Sequence, residues 1–499
     1  MTEATVPARQ IAASAARRTT RVGTISLWVA GGFLLAAPFF MAFRSGGYGL
    51  KSQLIVGAVA LVLLAAVAST APWPPLPRGL PLAALGALVL YATWTGLSTG
   101  WARLLETAVH DTDRVGMYCA AFALALAVTK VPDIRRIAPD VLLVGIVLVS
   151  LYALAGRLLP NLVHEHVNSA RLSQPLTYWN AVGIFAGFGT LLGVAMAGDE
   201  RRAVPWRAAA CAAAVPCGLA AFLTVSRGAA AAILAGLVVC IVLRGARATV
   251  LPAFCVLAAV VALSVTLLAF PDVLSLHSGE TDQASQGALF LPIAVLGTAA
   301  AGVVFARLCG RPVWRAELAL PSRLRMGIAI AAVPVVLGAA IAIVGHGKET
   351  TSVPLTASRL VHAETNRGHY WRVALAAFRR HPLDGVGSGS FAAEWTRHRG
   401  KDQPALDAHS LYIETLSELG LVGAVLLLGF VAAVTAGVAR AARAAPHDPV
   451  VGAGVAVLAA FAVHAGLDWD WEMPAVSLIA LIFAAAVLQP ARGRSRALR

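Results

Sequence analysis

Long apolar runs recur along the whole chain, and no other feature of the sequence restricts its fold as strongly. Of the 499 residues, 58% are hydrophobic and only 13% are charged. An apolar run of about 18 residues or more is typical of a membrane-spanning helix, because backbone groups in hydrocarbon must form their hydrogen bonds within the segment. The sequence therefore predicts an all-α, polytopic integral membrane protein.

The apolar runs predict about 14 transmembrane helices, and dividing the shorter runs differently gives roughly 12–14. The segment TVSRGA (224–229) is interpreted as a turn between two spans, since an arginine at the centre of one long span would cost several kcal/mol. The predicted spans are 24–43, 53–71, 79–99, 114–130, 138–159, 176–197, 205–224, 228–244, 248–270, 287–308, 324–345, 411–439, 448–466 and 473–489.

The orientation follows from the lysines and arginines, which are more frequent in cytoplasmic loops than in external ones. With the N-terminus in the cytoplasm, every inner loop carries a positive charge, whereas the outer loops 271–286 and 467–472 carry none. The predicted division is a cytoplasmic tail (1–23), eleven spans (24–345), a large extracytoplasmic loop (346–410), three further spans (411–489) and a cytoplasmic tail (490–499).

Composition excludes some classes of function. The formal net charge of +15 is spread between the spans and forms no single face, which argues against nucleic-acid binding. The six cysteines have neither CxxC nor Cys/His spacing, so the sequence indicates no metal site and no disulfide framework.

The external stretch 346–410 is too long for a simple connector, and loops of this length are usually functional. Between Trp371 and Phe378 the apolar residues fall at helical spacing, and SFAAEWTRH (390–398) repeats the pattern more briefly. We expect two short amphipathic helices lying over the outer membrane face. The segment GVGSGSF (385–391) lacks the GK[ST] ending of a phosphate loop, so we interpret it as a flexible turn between them.

Several arginines near the outer membrane edge run against the usual charge bias. Arg379 and Arg380 fit a solvated helix end. For Arg171, Arg227 and Arg367, one interpretation is contact with lipid phosphates. The other is a clamp for a diphosphate, because guanidinium groups bind phosphate oxygens with two hydrogen bonds and keep their charge.

His409 lies in DAHSLYIETLSELG (407–420), where the loop meets the next span. A histidine at a helix end is one explanation. A general base is another, since neutral imidazole titrates near neutrality, and the external arginines favour this second explanation. For LDWDWEMP (467–474), which contains Asp468, we favour an interfacial aromatic belt over a role in substrate binding.

Taken in order, these motifs resemble the O-antigen ligase and polymerase superfamily. The resemblance covers roughly residues 170–490 and is most specific in 367–423. The motifs that carry it are RLSQPLTYWNAVG (171–183), SRGA (226–229), RGHYW (367–371), HPLDGVGSGSF (381–391), DAHSLYIETLSELGLVG (407–423) and HAGLDWDWEMPA (464–475).

The resemblance implies a GT-C-like glycosyltransferase in the cytoplasmic membrane that uses no metal and no other cofactor. It would move a glycan from undecaprenyl diphosphate to an acceptor hydroxyl on the outer face. By the same resemblance, Arg171, Arg227 and Arg367 would hold the diphosphate and His409 would be catalytic. Because YWN (178–180) departs from the family's Pro-Asn, no role is assigned to its asparagine. Secondary candidates in these motifs are Trp371, Arg372, Tyr412, Glu414 and Asp468.

The chemistry of the residues agrees with this implication. Arginines can stabilise the charge that grows on a leaving diphosphate, while His409 takes the proton of the acceptor. No carboxylate pair of glycosidase spacing is evident, so we expect direct displacement with inversion.

The acceptor stays open between a lipid, a growing glycan and a protein. A repeat-unit polymerase or a protein O-oligosaccharyltransferase of the same superfamily would therefore also fit. A flippase for lipid-linked oligosaccharides would need charges through the spans, whose centres are almost free of them. A purely structural subunit would not explain the large loop.

Overall fold

The computed structural model describes residues 8–70, 77–163, 171–275, 280–311, 321–345, 367–399 and 404–489, and the regular elements in these ranges are all helical. Parts of the predicted tails and of the predicted external loop (1–7, 346–366, 400–403 and 490–499) lie outside the described residues. The helices are α1 (Ala8–Ala42), α2 (Leu50–Thr70), α3 (Leu80–Leu97), α4 (Leu105–Val128), α5 (Pro132–Leu158), α6 (Trp179–Ala197), α7 (Val204–Leu223), α8 (Arg227–Arg244), α9 (Ala246–Thr266), α10 (Pro271–Ser275), α11 (Glu280–Leu308), α12 (Ser322–Gly345), α13 (Arg367–Arg380), α14 (Phe391–His398), α15 (Leu411–Ala444), α16 (Pro449–Ala465) and α17 (Pro474–Leu488).

The predicted class, an all-helical multi-pass membrane protein, is confirmed. Within the described residues, 11 helices are long and apolar enough to cross a membrane. Each of the predicted spans falls on a helix, but three of these helices are not among the 11. Helix α4 carries Asp111, Asp113 and Arg114 in its first half, and α16 and α17 have only 17 and 15 residues. The total of fourteen therefore stays a prediction.

Helix α6 forms the centre of the bundle. All of its candidate span is buried, and it packs against α5, α7, α8 and α16. Small residues permit this close packing: a Cβ added at Gly193 would lie 2.7 Å from the carbonyl oxygen of Ala210. The residues at the N-terminal end of α6 are consequently surrounded by other helices rather than by lipid.

Helix α15 is broken at Gly420. With 34 residues it would be about 51 Å long if straight, which exceeds the ~30 Å hydrocarbon core. Gly420 has φ 63°, and a Cβ there would lie 2.3 Å from the carbonyl oxygen of Leu383, so the position requires glycine. The N–H of Leu421 donates instead to the carbonyl of Pro382 at 2.9 Å. Residues 411–419 thus form a separate helical segment that meets the chain between α13 and α14.

The segment between α13 and α14 is fixed on this broken helix. The N–H groups of Val386 and Gly387 donate to carbonyls of α15 at 3.0 and 2.9 Å. The carboxylate of Glu418 accepts from the N–H groups of Gly389 (2.9 Å) and Phe391 (2.8 Å). The segment connects two helices as predicted, but these bonds hold it in place, and the flexible-turn interpretation is wrong.

The two loop helices are present where the sequence predicted them. Their apolar sides, however, pack against protein. Trp371 is 6% exposed and belongs to the main core. The other buried residues of these two helices form a small core together with two alanines that follow α14. This small core consists of Val373, Ala374, Phe391, Trp395, Ala405 and Ala408. Protein contact therefore replaces the lipid contact that we expected for these helices.

Candidate active site

Asp468 lies at the centre of a buried polar cluster, in the loop between α16 and α17. Its side chain is 1% exposed and forms an ion pair with Arg367, the first residue of α13. The same carboxylate accepts hydrogen bonds from Asn180 Nδ2 (2.6 Å) and from the hydroxyl of Tyr178 (2.8 Å). An aromatic belt at the membrane interface does not bury a carboxylate in this way, so that interpretation of the loop is wrong.

Arg171 joins this cluster through Asn180. Its Nη2 donates to Asn180 Oδ1 at 3.3 Å and to the carbonyl of Val225 at 3.1 Å, and its Nε donates to the carbonyl of Thr224 at 2.7 Å. The guanidinium also lies over the ring of Trp179, 4.5 Å from its centre. Arg171 therefore ties the start of α6 to the turn that follows α7.

Arg227 is the first residue of α8 and comes directly after that turn. Ser226 caps the helix, with its hydroxyl accepting from the N–H of Ala229 at 3.2 Å. The break that the sequence predicted at TVSRGA is confirmed. Because Arg171 is bonded to the turn itself, the two arginines stand at the same end of the bundle.

His409 has an unusual backbone. Its φ is 56°, a left-handed conformation that costs roughly 1–3 kcal/mol for a residue with a side chain and that persists only where the surroundings impose it. Nδ1 donates to the carbonyl of Asp407 at 3.0 Å, which leaves the lone pair on Nε2. The ring lies 5.2 Å from that of Tyr370 and 6.2 Å from that of Trp469. His409 is thus brought between α13 and the loop of Asp468.

Burial and charge favour an ionised Asp468 beside a neutral His409. Burial acts to raise the pKa of Asp468, but the charge of Arg367 and the hydrogen bond from Tyr178 help to bring it below its ordinary value. For His409, burial and then the charge of Arg367 lower the pKa, against an opposing effect of Asp468. The imidazole is therefore suited to accept a proton at neutral pH.

Carboxylates gather around Arg114 of α4. Arg114 pairs with Asp111 at 2.8 Å and with Glu472 at 3.2 Å. Burial raises the pKa of Glu472 to about 8 and that of Asp407 to about 7. Asp407, two residues before His409, thus belongs to a buried group of charges around Arg114 that the motifs did not predict.

The secondary candidates, apart from Asp468, do not join the cluster. Arg372 is exposed and bonds within its own helix, to His369 at 3.0 Å. Trp371 is buried in the core. The hydroxyl of Tyr412 donates to the carbonyl of Ala462 at 2.8 Å. Glu414 accepts from the N–H of Ala408 at 2.6 Å and so holds the turn that carries His409.

An apolar cavity of about 340 Å³ lies beside the cluster, among α8, α12, α15, α16 and α17. Leu411, Tyr412 and Trp471 line the part that adjoins the loops of His409 and Asp468. Met326 and Ile330 of α12 line the opposite wall. A hydrocarbon chain fits this lining, which apart from Trp471 comes from helices that coincide with predicted spans.

A model of the O-antigen ligase family matches residues 287–428. These residues carry an O-antigen ligase domain, which supports the O-antigen ligase superfamily. The ligase-family match begins in α11, ends in α15 and includes Arg367 and His409, whereas Arg171, Arg227 and Asp468 lie outside it. No curated protein sequence matches the chain. The match confirms the resemblance seen in the motifs and supports a membrane glycosyltransferase family of the ligase or polymerase type.

The sequence motifs did not predict two members of the polar cluster around Asp468. Asn180 bonds to both Asp468 and Arg171, and Tyr178 bonds to both Asp468 and Asn180. Both stand in the YWN motif that had been set aside because it departs from the family pattern. A buried asparagine at the first turn of an apolar helix was itself a signal, since such a group needs polar partners.

Proposed function

We propose that the protein transfers a glycan from an undecaprenyl-diphosphate carrier to an acceptor hydroxyl, on the outer face of the cytoplasmic membrane and with both termini inside the cell. The observation that carries the proposal is the convergence of His409, Arg171 and Arg367 around Asp468, although these residues come from four separate motifs. Transfer needs a base and a cationic site for the leaving group at one place, and this cluster supplies both.

The arginines act on the donor. In the reaction the bond between the anomeric carbon and the diphosphate oxygen breaks, and the electron pair leaves with the diphosphate. Arg171, Arg227 and Arg367 stabilise that growing negative charge, because fixed donors need no reorganisation in the transition state. Asp468 offsets one of these charges and holds Arg367 in place, so the site keeps an excess of positive charge for an anion.

His409 acts on the acceptor. The acceptor oxygen forms the new bond to the anomeric carbon, and its proton passes to His409 Nε2. That nitrogen carries the lone pair, because Nδ1 is bonded to the carbonyl of Asp407. A base on one side of the sugar and a leaving group on the other give inversion. No step assigned to these residues calls for a metal ion.

The prenyl chain of the donor occupies the apolar cavity in this proposal. Its lining near the cluster, Tyr412 and Trp471, adjoins the loops that carry His409 and Asp468. A chain bound there would place its diphosphate at the arginines while its hydrocarbon stays among the spans. This gives Tyr412, which lies outside the polar cluster, a role in binding the donor.

The test is transfer of a labelled glycan from undecaprenyl diphosphate by the purified protein in detergent, with the product analysed by mass. We expect a new glycosidic bond and release of undecaprenyl diphosphate. A flippase would give neither, because detergent removes the two sides of the membrane. Absence of transfer from every acceptor class, in protein that still binds undecaprenyl diphosphate, would refute the proposal.

Identifying the acceptor takes a second measurement. In a deletion strain, a ligase would leave the surface without the glycan, whereas a polymerase would leave single repeat units. A protein O-oligosaccharyltransferase would leave the polysaccharide intact and remove glycans from proteins. His409→Ala expressed in the same strain is the matched control, since it changes the proposed base and not the amount of membrane protein.

A further inference from the structure

A second histidine–carboxylate pair lies behind the arginine cluster. His464, in the last turn of α16, is 0% exposed, and its Nδ1 is 2.5 Å from the carboxylate of Asp470. Because an ionised carboxylate only accepts hydrogen bonds, Nδ1 carries the hydrogen. The carbonyl of Asp470 accepts in turn from the hydroxyl of Ser477 at 2.7 Å. The pair therefore fixes the loop in which Asp468 stands to both flanking helices.

The opposite edge of the same ring contacts α8. A Cβ added at Gly228 would lie 3.1 Å from His464 Nε2 and 3.2 Å from its Cδ2, so the glycine and the ring are in close contact. Gly228 directly follows Arg227. One edge of the imidazole thus touches the loop of Asp468, and the other touches the helix start that carries Arg227.

The environment of Nε2 indicates a neutral ring. This atom is buried and has no hydrogen-bond partner among the residues that the structure describes. A second ring N–H at that place would lose its hydrogen bonds to water without replacement, which disfavours the charged ring. The His464 ring therefore acts as a neutral spacer that makes one hydrogen bond, to Asp470.

We infer that the His464–Asp470 pair is a positioning element that sets the distance between Arg227 and the Asp468–Arg367 ion pair, and this inference rests on the proposed function. The two parts of the arginine cluster come from distant segments, and the histidine ring is in contact with both. A diphosphate that spans the two parts is bound well only at one separation, and misplacement of about 1 Å can cost on the order of 100-fold in rate.

The first test compares substitutions of the histidine. His464→Leu loses the hydrogen bond and should lower kcat and raise KM for the donor, with kcat/KM falling about 10- to 100-fold. His464→Asn places an amide N–H where Nδ1 stood and should recover most of that loss. His447→Leu, at the exposed opposite end of α16, is the control. Folded His464→Asn that is as inactive as His464→Leu would overturn the inference, as would His464→Leu with unchanged kcat and KM.

The second test needs no change of the histidine. Gly228→Ala should not weaken α8, because alanine has the higher helix propensity, while its Cβ pushes the ring and Arg227 apart. We expect a thermal midpoint that is unchanged or higher together with a kcat/KM at least about fivefold lower. Gly86→Ala, where an added Cβ meets nothing within 4 Å, is the control. Full activity in Gly228→Ala would contradict the inference even if His464→Leu failed to fold.

A third measurement separates this inference from the proposed function. Binding of undecaprenyl diphosphate without acceptor, measured by calorimetry, should weaken in His464→Leu and in Gly228→Ala. If wild type binds but never transfers, the proposed function fails and the positioning role is still decided by these affinities. If wild type transfers and both variants bind and transfer like it, only the positioning role fails.

Discussion

Asp468 pairs with Arg367 inside the protein, with 1% and 16% of the two side chains exposed. A buried carboxylate that loses its cation, or a cation that loses its carboxylate, is strongly destabilising, because the charge left behind has neither water nor a partner. Loss of either partner would therefore destabilise this end of the bundle, and the pair also fixes the guanidinium that the proposed reaction uses.

Asp468→Asn keeps the shape of the side chain and removes its charge. We expect a stability loss of about 3–5 kcal/mol at most, since hydrogen bonds to Tyr178 can survive, and a fall in transfer that exceeds the fall in folded protein. Thermal unfolding in detergent and transfer per folded molecule measure the two effects. Asp384→Asn, an exposed carboxylate in the same external region, should change neither. An Asp468→Asn protein with wild-type kcat would show that Arg367 does not need this partner.

Arg227→Lys keeps the charge at the start of α8 and loses the planar guanidinium. We expect transfer to fall about 100-fold or more, because an ammonium group cannot make two parallel hydrogen bonds to a phosphate. Arg379→Ala removes an exposed arginine at the end of α13 and should have a mild effect. Similar losses in both variants would mean that general positive charge, rather than a shaped site, binds the donor.

His409→Ala should lower turnover by about 10²–10⁴-fold while undecaprenyl diphosphate still binds, as is usual when a general base is removed. Its neighbour Ser410 caps α15, with its hydroxyl accepting from the N–H of Ile413 at 3.5 Å. Ser410→Ala should cost on the order of 1 kcal/mol of stability and little rate. Fluorescence size-exclusion chromatography checks that both variants are folded. Near-normal turnover in His409→Ala would place the base elsewhere.

The pH dependence of transfer follows from the lowered pKa of His409. The neutral ring is the base, so the rate should be constant around neutrality and fall about tenfold per pH unit below that pKa, which lies under the ordinary 6.5. Asp407, with a pKa raised by burial to about 7, also titrates near this range. The profile is therefore measured in Asp407→Asn as well. If the acid limb disappears in that variant, the base is Asp407.

The predicted orientation can be tested by labelling single cysteines in a background without the native ones. Leu383→Cys, which is 64% exposed between α13 and α14, should react with a membrane-impermeant maleimide in intact cells. Glu200→Cys, exposed between α6 and α7, should react only after the membrane is opened. The reverse pattern would put the arginine cluster in the cytoplasm and exclude a donor on the outer face.

Local patterns in the sequence predicted most of the helices. The parts of the polar cluster that were not predicted depend on contacts between residues far apart in the chain. Apolar runs and the turn at TVSRGA are properties of neighbouring residues, so their positions could be read directly. The bond between Asn180 and Asp468 joins positions separated by 288 residues, and no local period encodes it. The motifs predicted functional roles for Arg367 and His409. Only the packed structure shows that the buried carboxylate of Asp468 bonds both to Arg367 and, through Asn180, to the segment that carries Arg171.

The apolar cavity beside the cluster has a consequence for enzyme kinetics. Helix α12 forms one wall, and because only 11% of its most apolar stretch is buried in the protein, we expect the cavity to border the bilayer. A polyprenyl donor reaching it would diffuse in two dimensions and never enter water. The concentration that governs its capture is then the number of donor molecules per unit area of membrane, so that adding inert lipid slows turnover while the molarity of donor in the tube stays the same.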